Sequence, residues 1–103
     1  MANPQSGEVS VVIDGRAQTA KLTLGALAEM EASLGDDSLL AMVERFESGQ
    51  FRSRDVLAVL VAGLRGGGWR GDTGDLLNAD IGGGPLGAAR SAAELLARAF
   101  RFA

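Results

Sequence analysis

The chain predicts an α+β fold, an N-terminal β-hairpin followed by a compact bundle of four to five helices. Three observations lead there. Val9, Val11 and Ile13 share one face at period two, and Asp14-Gly15 follows them as a turn pair that tolerates positive φ. Behind the turn, apolar residues recur at three- and four-residue spacing in successive segments. The glycine runs 66–68 and 82–84 then interrupt that periodicity, as helix ends and joints do.

A two-residue loop at Asp14-Gly15 sets Val9 opposite Ala20 and Glu8 opposite Lys21, and the second strand is expected from Arg16 to about Thr23. A lone hairpin is marginal in water, so its apolar face must lie on the helices. Thr23 is placed to cap a first helix with Leu24, Leu27, Ala28 and Leu34 as its buried stripe and Gly35 as its stop. The second helix starts at Asp37 or Ser38, carries Leu39, Met42, Val43 and Phe46 at i, i+3, i+4 and i+7, and ends at Ser48-Gly49. The third, capped by Ser53 with Asp55 in its first turn, carries Val56, Leu57, Leu60, Val61 and Leu64. Being the most apolar, it belongs at the centre. A short helix is expected from Thr73 to about Asp80, and a last one opens at Pro85 with Leu86, Ala89, Ala93, Leu96 and Phe100. Residues 1–7 read as a disordered leader and 8–103 as a single domain.

Composition narrows the function. The chain has 103 residues, and a domain of that size buries only roughly 60–65% of its unfolded surface, which leaves little room for a large internal active site. It has no Cys and no His, which removes thiol nucleophiles, disulfides, the usual metal ligands and the usual general base near neutral pH. A net charge of -3 and a pI near 4.8 speak against nucleic-acid binding, which needs a basic excess. The N-terminus lacks the basic-then-apolar plan of a signal peptide, and the longest apolar run, Val56 to Leu64, is far short of the roughly 20 residues that cross a bilayer. The expectation is a cytoplasmic protein with no membrane partner, no cofactor and no metal.

The side chains that carry chemistry have plain structural readings beside the functional ones. Neither glycine run has the Gly-Lys-Ser/Thr of a phosphate loop, so Gly66–Gly68 reads as a helix stop. A single Arg-Gly-Gly segment in an acidic protein is a weak signal for RNA. Asp72, Asp75 and Asp80, like Asp36 and Asp37, do not follow an EF-hand pattern and read as helix caps and solvated surface. Arg52 and Arg54 open the third helix where a recognition helix would meet DNA, but that helix is too apolar to lie in a groove. Trp69, between glycines and arginines, either tucks onto the domain or meets a partner, where Trp and Arg often dominate the binding energy. The C-terminal Phe100 and Phe102 pose the same question: Phe100 continues the helix stripe and Phe102 lies off it.

Two blocks carry a family resemblance: Leu22-Thr23-Leu24-Gly25-Ala26-Leu27-Ala28-Glu29-Met30-Glu31, and Val59 to Gly68 with its Ala-Gly-Leu-Arg-Gly-Gly-Gly pattern. On these the chain resembles the small tail-assembly proteins of gene transfer agents and related tailed phages, from about Gly7 to Phe100. The resemblance implies a non-enzymatic tail-module protein, foremost a tail assembly chaperone that binds the tape-measure protein while tube subunits polymerise. A tail tube or connector component retained in the particle is the alternative, and a small DNA-binding regulator comes third. The implied partners are tape-measure and tail tube proteins, with self-association left open and no nucleic acid. As partner-binding residues the reading singles out Arg65, Trp69, Arg70, Phe100 and Phe102; these are chosen from their chemistry and are not inherited from the family.

Overall fold

The computed structural model describes residues 6–35 and 37–100, so most of the expected leader, Asp36 and Phe102 lie outside the described residues. Two strands, β1 (Val9–Ile13) and β2 (Arg16–Ala20), precede α1 (Leu24–Leu34), α2 (Leu39–Ser48), α3 (Ser53–Gly66), α4 (Thr73–Leu77) and α5 (Gly84–Ala99). This is the α+β order expected, with five helices.

Asp14 and Gly15 sit at φ 51° and 80°, the left-handed pair that a tight hairpin of this hand requires. Val9 therefore faces Ala20 and Ile13 faces Arg16. The alternation buries Val9, Val11 and Ile13 and leaves Ser10 and Val12 exposed. β2 stops at Ala20, short of the expected Thr23, because the Lys21 N–H leaves the ladder and donates to the Gly63 carbonyl at 2.8 Å. Thr23 has turned by then to cap α1, its Oγ1 accepting from the Ala26 N–H at 3.0 Å.

On the far edge of β1, Ile81 bridges to Ile13, the Asp14 N–H donates to Asp80 at 2.8 Å and the Gly82 N–H donates to Val12 at 2.9 Å. That pairing also explains why α4 ends at Leu77 and does not reach Asp80: the chain is drawn away to the sheet. Asp72 and Asp75 cap α4 reciprocally, each carboxylate accepting the other's N–H at 3.0 and 2.9 Å, which is the cap role expected of them.

α1 departs from expectation in phase. Its inward residues are Ala26 and Met30, continuing from buried Leu22, whereas Ala28 is exposed and Leu24 is 84% exposed. The Thr23 cap fixes the rotation of the first turn, and four-residue steps from Leu22 define the inner face. Leu27 and Leu34 pack at its margin.

α3 is central, as its composition predicts: α1, α4, α5 and β2 all pack on it. Val59, Leu60, Ala62 and Leu64 are buried there. The expected Ser53 cap is displaced by one residue, since Arg52 takes the cap position and Ser53 is the first helical residue. The Asp55 carboxylate accepts the Arg52 N–H at 2.8 Å, but among the described residues no side chain takes the place of the expected Ser53 cap on the first-turn N–H groups. The helix also runs one residue past Arg65 before Gly67 closes it.

Asp55 is the buried charged residue of the described core, and its partner comes from α2. The Arg45 guanidinium grips it bidentately, Nε to Oδ2 at 3.0 Å and Nη2 to Oδ1 at 2.9 Å, and Nη2 also meets Asp37 at 2.8 Å. Phe46 stacks on Phe51 with ring centroids 4.8 Å apart. These contacts, with buried Met42, fasten α2 to the domain.

Candidate functional site

α5 has more apolar surface than the core uses. At 3.6 residues per turn, Ala88, Ala92, Leu95 and Ala99 cluster on one side, and Leu86, Ala93, Ala97 and Phe100 cluster about 140° away. Ala88, Ala92 and Leu95 are buried in the domain, whereas Ala97 is exposed and Leu86 is 63% exposed. Of the expected stripe of Leu86, Ala89, Ala93, Leu96 and Phe100, Leu96 is buried, Ala89, Ala93 and Phe100 are half-buried with Phe100 packed against the core, and Leu86 is exposed.

That second side forms one wall of an open groove of about 780 Å³. The wall from α5 presents Ala93, Leu96, Ala97 and Phe100, and the wall from α2 presents Leu39, Leu40, Val43 and Phe46, with Glu47 at the lip. Leu40 is 67% exposed. The side chains that line it are carbon-rich on both sides, so it can seat apolar groups of a partner and gains by removing that area from water.

Arg65, Trp69 and Arg70 lie elsewhere. They meet in a shallow depression of about 520 Å³ with Thr23, Gly25 and Glu29. Arg65 is committed on two sides, to Glu29 at 2.8 Å and to the Gly71 carbonyl at 3.2 Å. The Trp69 N–H donates to Leu64 at 2.9 Å, its ring lies against Gly71, and the side chain packs on the core as a half-buried group. The structure therefore brings together three of the five singled-out residues, sets Phe100 in the α2–α5 groove, and leaves Phe102 outside the described residues. Leu39 and Val43 fall in the α2 core stripe and do pack on the core while also lining the groove, and Leu40 lies off that stripe and was not singled out. The available signal was the second apolar stripe of α5.

The two blocks that carry the resemblance also meet at this depression. Glu29 of the first holds Arg65 of the second, and Gly66 lies on Lys21 and Ala26. Packing accounts for both patterns. Trp69→Ala is expected to lower stability by about 1–2 kcal/mol, less than a fully buried Trp would cost, because the ring is only partly enclosed. Denaturant midpoints of the two proteins check it.

Among the described residues no group of three or more His, Cys, Asp or Glu could hold a metal ion, and no helix is long and apolar enough to cross a membrane. The geometry is that of a small α+β domain with an open apolar groove between α2 and α5. A family profile described as phage tail tube protein, GTA-gp10, matches residues 6–102, and the chain belongs to that family. It is a protein of the tail module of phages and gene transfer agents. Neither the curated proteins nor the solved structures compared with the chain gave a match.

Proposed function

We propose that the chain, a single domain over 8–103, is a non-enzymatic tail assembly chaperone that acts in the cytoplasm and holds the tape-measure protein while the tube polymerises. The observation that carries this reading is the open apolar groove between α2 and α5. A chaperone for a long helical partner needs a ready apolar seat that is not used up by its own core, and helix-in-groove recognition supplies one. Phe100 contributes directly to that seat, Phe102 follows it two residues on, and Arg65, Trp69 and Arg70 offer a second, more polar contact.

The alternative is a structural component of the tail tube, and the description of the family favours it. Stoichiometry separates the two. Quantitative mass spectrometry of a producing-cell lysate and of particles purified from it is expected to find the chain abundant in the lysate and absent from particles. A fixed stoichiometric presence in particles would establish the tube reading instead.

A further inference from the structure

We infer that the α2–α5 groove seats one amphipathic α-helix of a partner, with basic residues along the edge that faces α2, and that a second copy of this chain does not fill it. The inference rests on the docking reading above and specifies the occupant.

Shape disfavours a groove-to-groove pairing of two copies. The groove is concave between two helices, and a concave face laid on its own copy leaves the space between them unfilled. A single helix, about 10 Å across with its side chains, is the convex element that enters such a trough. Ala93 and Ala97 lie one turn apart on α5, so that wall is low and a helix can approach closely, while Leu40, Val43 and Phe100 stand higher.

Charge sets the partner's chemistry. On α2 the exposed outer edge carries Glu44 and Glu47, with Leu40 on the same side. The basic residue of that helix, Arg45, is turned inward to Asp37 and Asp55 and does not offset them at the edge. On α5, Arg90 is exposed seven residues before Ala97, on the same side of the helix, and Glu94 is paired with Arg98. The α2 lip is therefore acidic over an apolar groove, and a helix whose apolar stripe is flanked by Lys or Arg complements both.

The test uses two labelled synthetic amphipathic peptides of about five helical turns, with the same Leu/Ala stripe and either Lys or Glu along one edge. Fluorescence anisotropy at low salt is expected to show the Lys-edged peptide bound about tenfold more tightly than the Glu-edged one, a preference that fades as salt rises. The double variant Glu44→Lys, Glu47→Lys is expected to reverse the preference. Ala97 is exposed, so Ala97→Glu is compatible with folding; it places a bulky carboxylate on the α5 wall and is expected to reduce binding at least tenfold. Non-specific attraction of a cationic peptide would instead rise with that added negative charge. Sedimentation of the unmodified chain is expected to give a monomer.

Equal or tighter binding of the Glu-edged peptide, no binding of either, or a dimer that Ala97→Glu dissociates would each overturn the proposal. Particle stoichiometry fails or succeeds independently. A chain retained in particles that still prefers the Lys-edged peptide loses the chaperone role and keeps this occupant, and a chain absent from particles that binds neither loses the occupant alone.

Discussion

Replacing Arg45 with Met is expected to lower the free energy of unfolding by about 3–5 kcal/mol, because it leaves the Asp55 carboxylate buried without its charge partner. The Asp55 side chain is 4% exposed and receives both arms of the guanidinium, so little water reaches the carboxylate to replace what is lost. Domains of this size are stable by about 5–15 kcal/mol, and a loss of 3 kcal/mol translates into a melting temperature lower by about 12–24 °C. Chemical denaturation of the two proteins measures it. The double variant Arg45→Met, Asp55→Leu is expected to recover most of the loss, since an apolar pair leaves no uncompensated charge behind. An Arg45→Met protein as stable as the parent would mean that Asp55 is solvated in solution. The effect also reaches the groove: α2 is fastened by this pair and forms one wall, so its amide exchange should rise in the single variant.

The same network predicts a pH dependence of definite sign. Burial pushes the Asp55 carboxyl up, but the hydrogen bonds from Arg45 and from the Arg52 N–H, together with the two guanidinium charges, outweigh it and hold the group below its ordinary value. Asp37 is held down chiefly by its bond to Arg45 and then by the Ser38 N–H. A carboxyl whose pKa is lower in the folded state binds fewer protons there than in the unfolded chain, so its stabilisation is present above the unfolded value, about 3.9, and is lost as pH falls through the folded one. Stability from this network should therefore hold down to about pH 5 and decline below about pH 4. In Arg45→Met the pull of the guanidinium is gone and burial dominates, so protonation relieves the buried charge. The gap between the two proteins should then narrow on acidification, and a gap that widens would contradict the assignment.

Local chemistry was the part of the fold most legible in the sequence. Asp14-Gly15 specifies a two-residue turn, and a turn of that length leaves one register, hence Val9 opposite Ala20. Ser38 caps α2 where expected, its Oγ accepting from Ala41 at 3.0 Å, and Pro85 opens α5. What escaped was long-range or depended on phase. The Arg45–Asp55 pair joins two helices across a loop, and no spacing rule marks two such residues as partners. The strip 80–82 finds β1 nearly seventy residues away and shortens α4 by doing so, a competition invisible to local propensity. α1 has apolar residues on more than one side, so the buried stripe depends on rotation, which the Thr23 cap and Leu22 decide together. On α5, the apolar excess was legible as hydrophobicity but not as two faces, because a stripe facing a partner and one facing the core have the same spacing. Chemistry alone singled out both Trp69 and Phe100, and the fold sets them on separate surfaces.

Gly66→Ala should destabilise the protein by about 2–3 kcal/mol, against the direction that helix propensity alone dictates. Gly66 is helical, and exchange of Gly for Ala within a helix ordinarily stabilises by up to about 1 kcal/mol. Here a Cβ would lie 2.1 Å from the Lys21 carbonyl oxygen, a backbone atom that cannot rotate away, and at Gly67 it would lie 1.9 Å from the Thr19 carbonyl oxygen. The end of α3 is therefore pressed against the strand-to-helix link between β2 and α1, and the Lys21 N–H bond to Gly63 holds it there. Gly25→Ala, in α1, provides the opposite case: its nearest foreign atom is Thr23 Oγ1 at 3.9 Å, an ordinary contact, so the propensity gain of up to about 1 kcal/mol should appear. Both are read from denaturant midpoints against the parent. Opposite signs would show that the Arg-Gly-Gly-Gly block is a packing device, small because two backbones must touch. A Gly66→Ala protein that gains stability as Gly25→Ala does would mean that α3 stands off from the link, and the block would then need a reason outside the fold, at the Trp69 depression beside it.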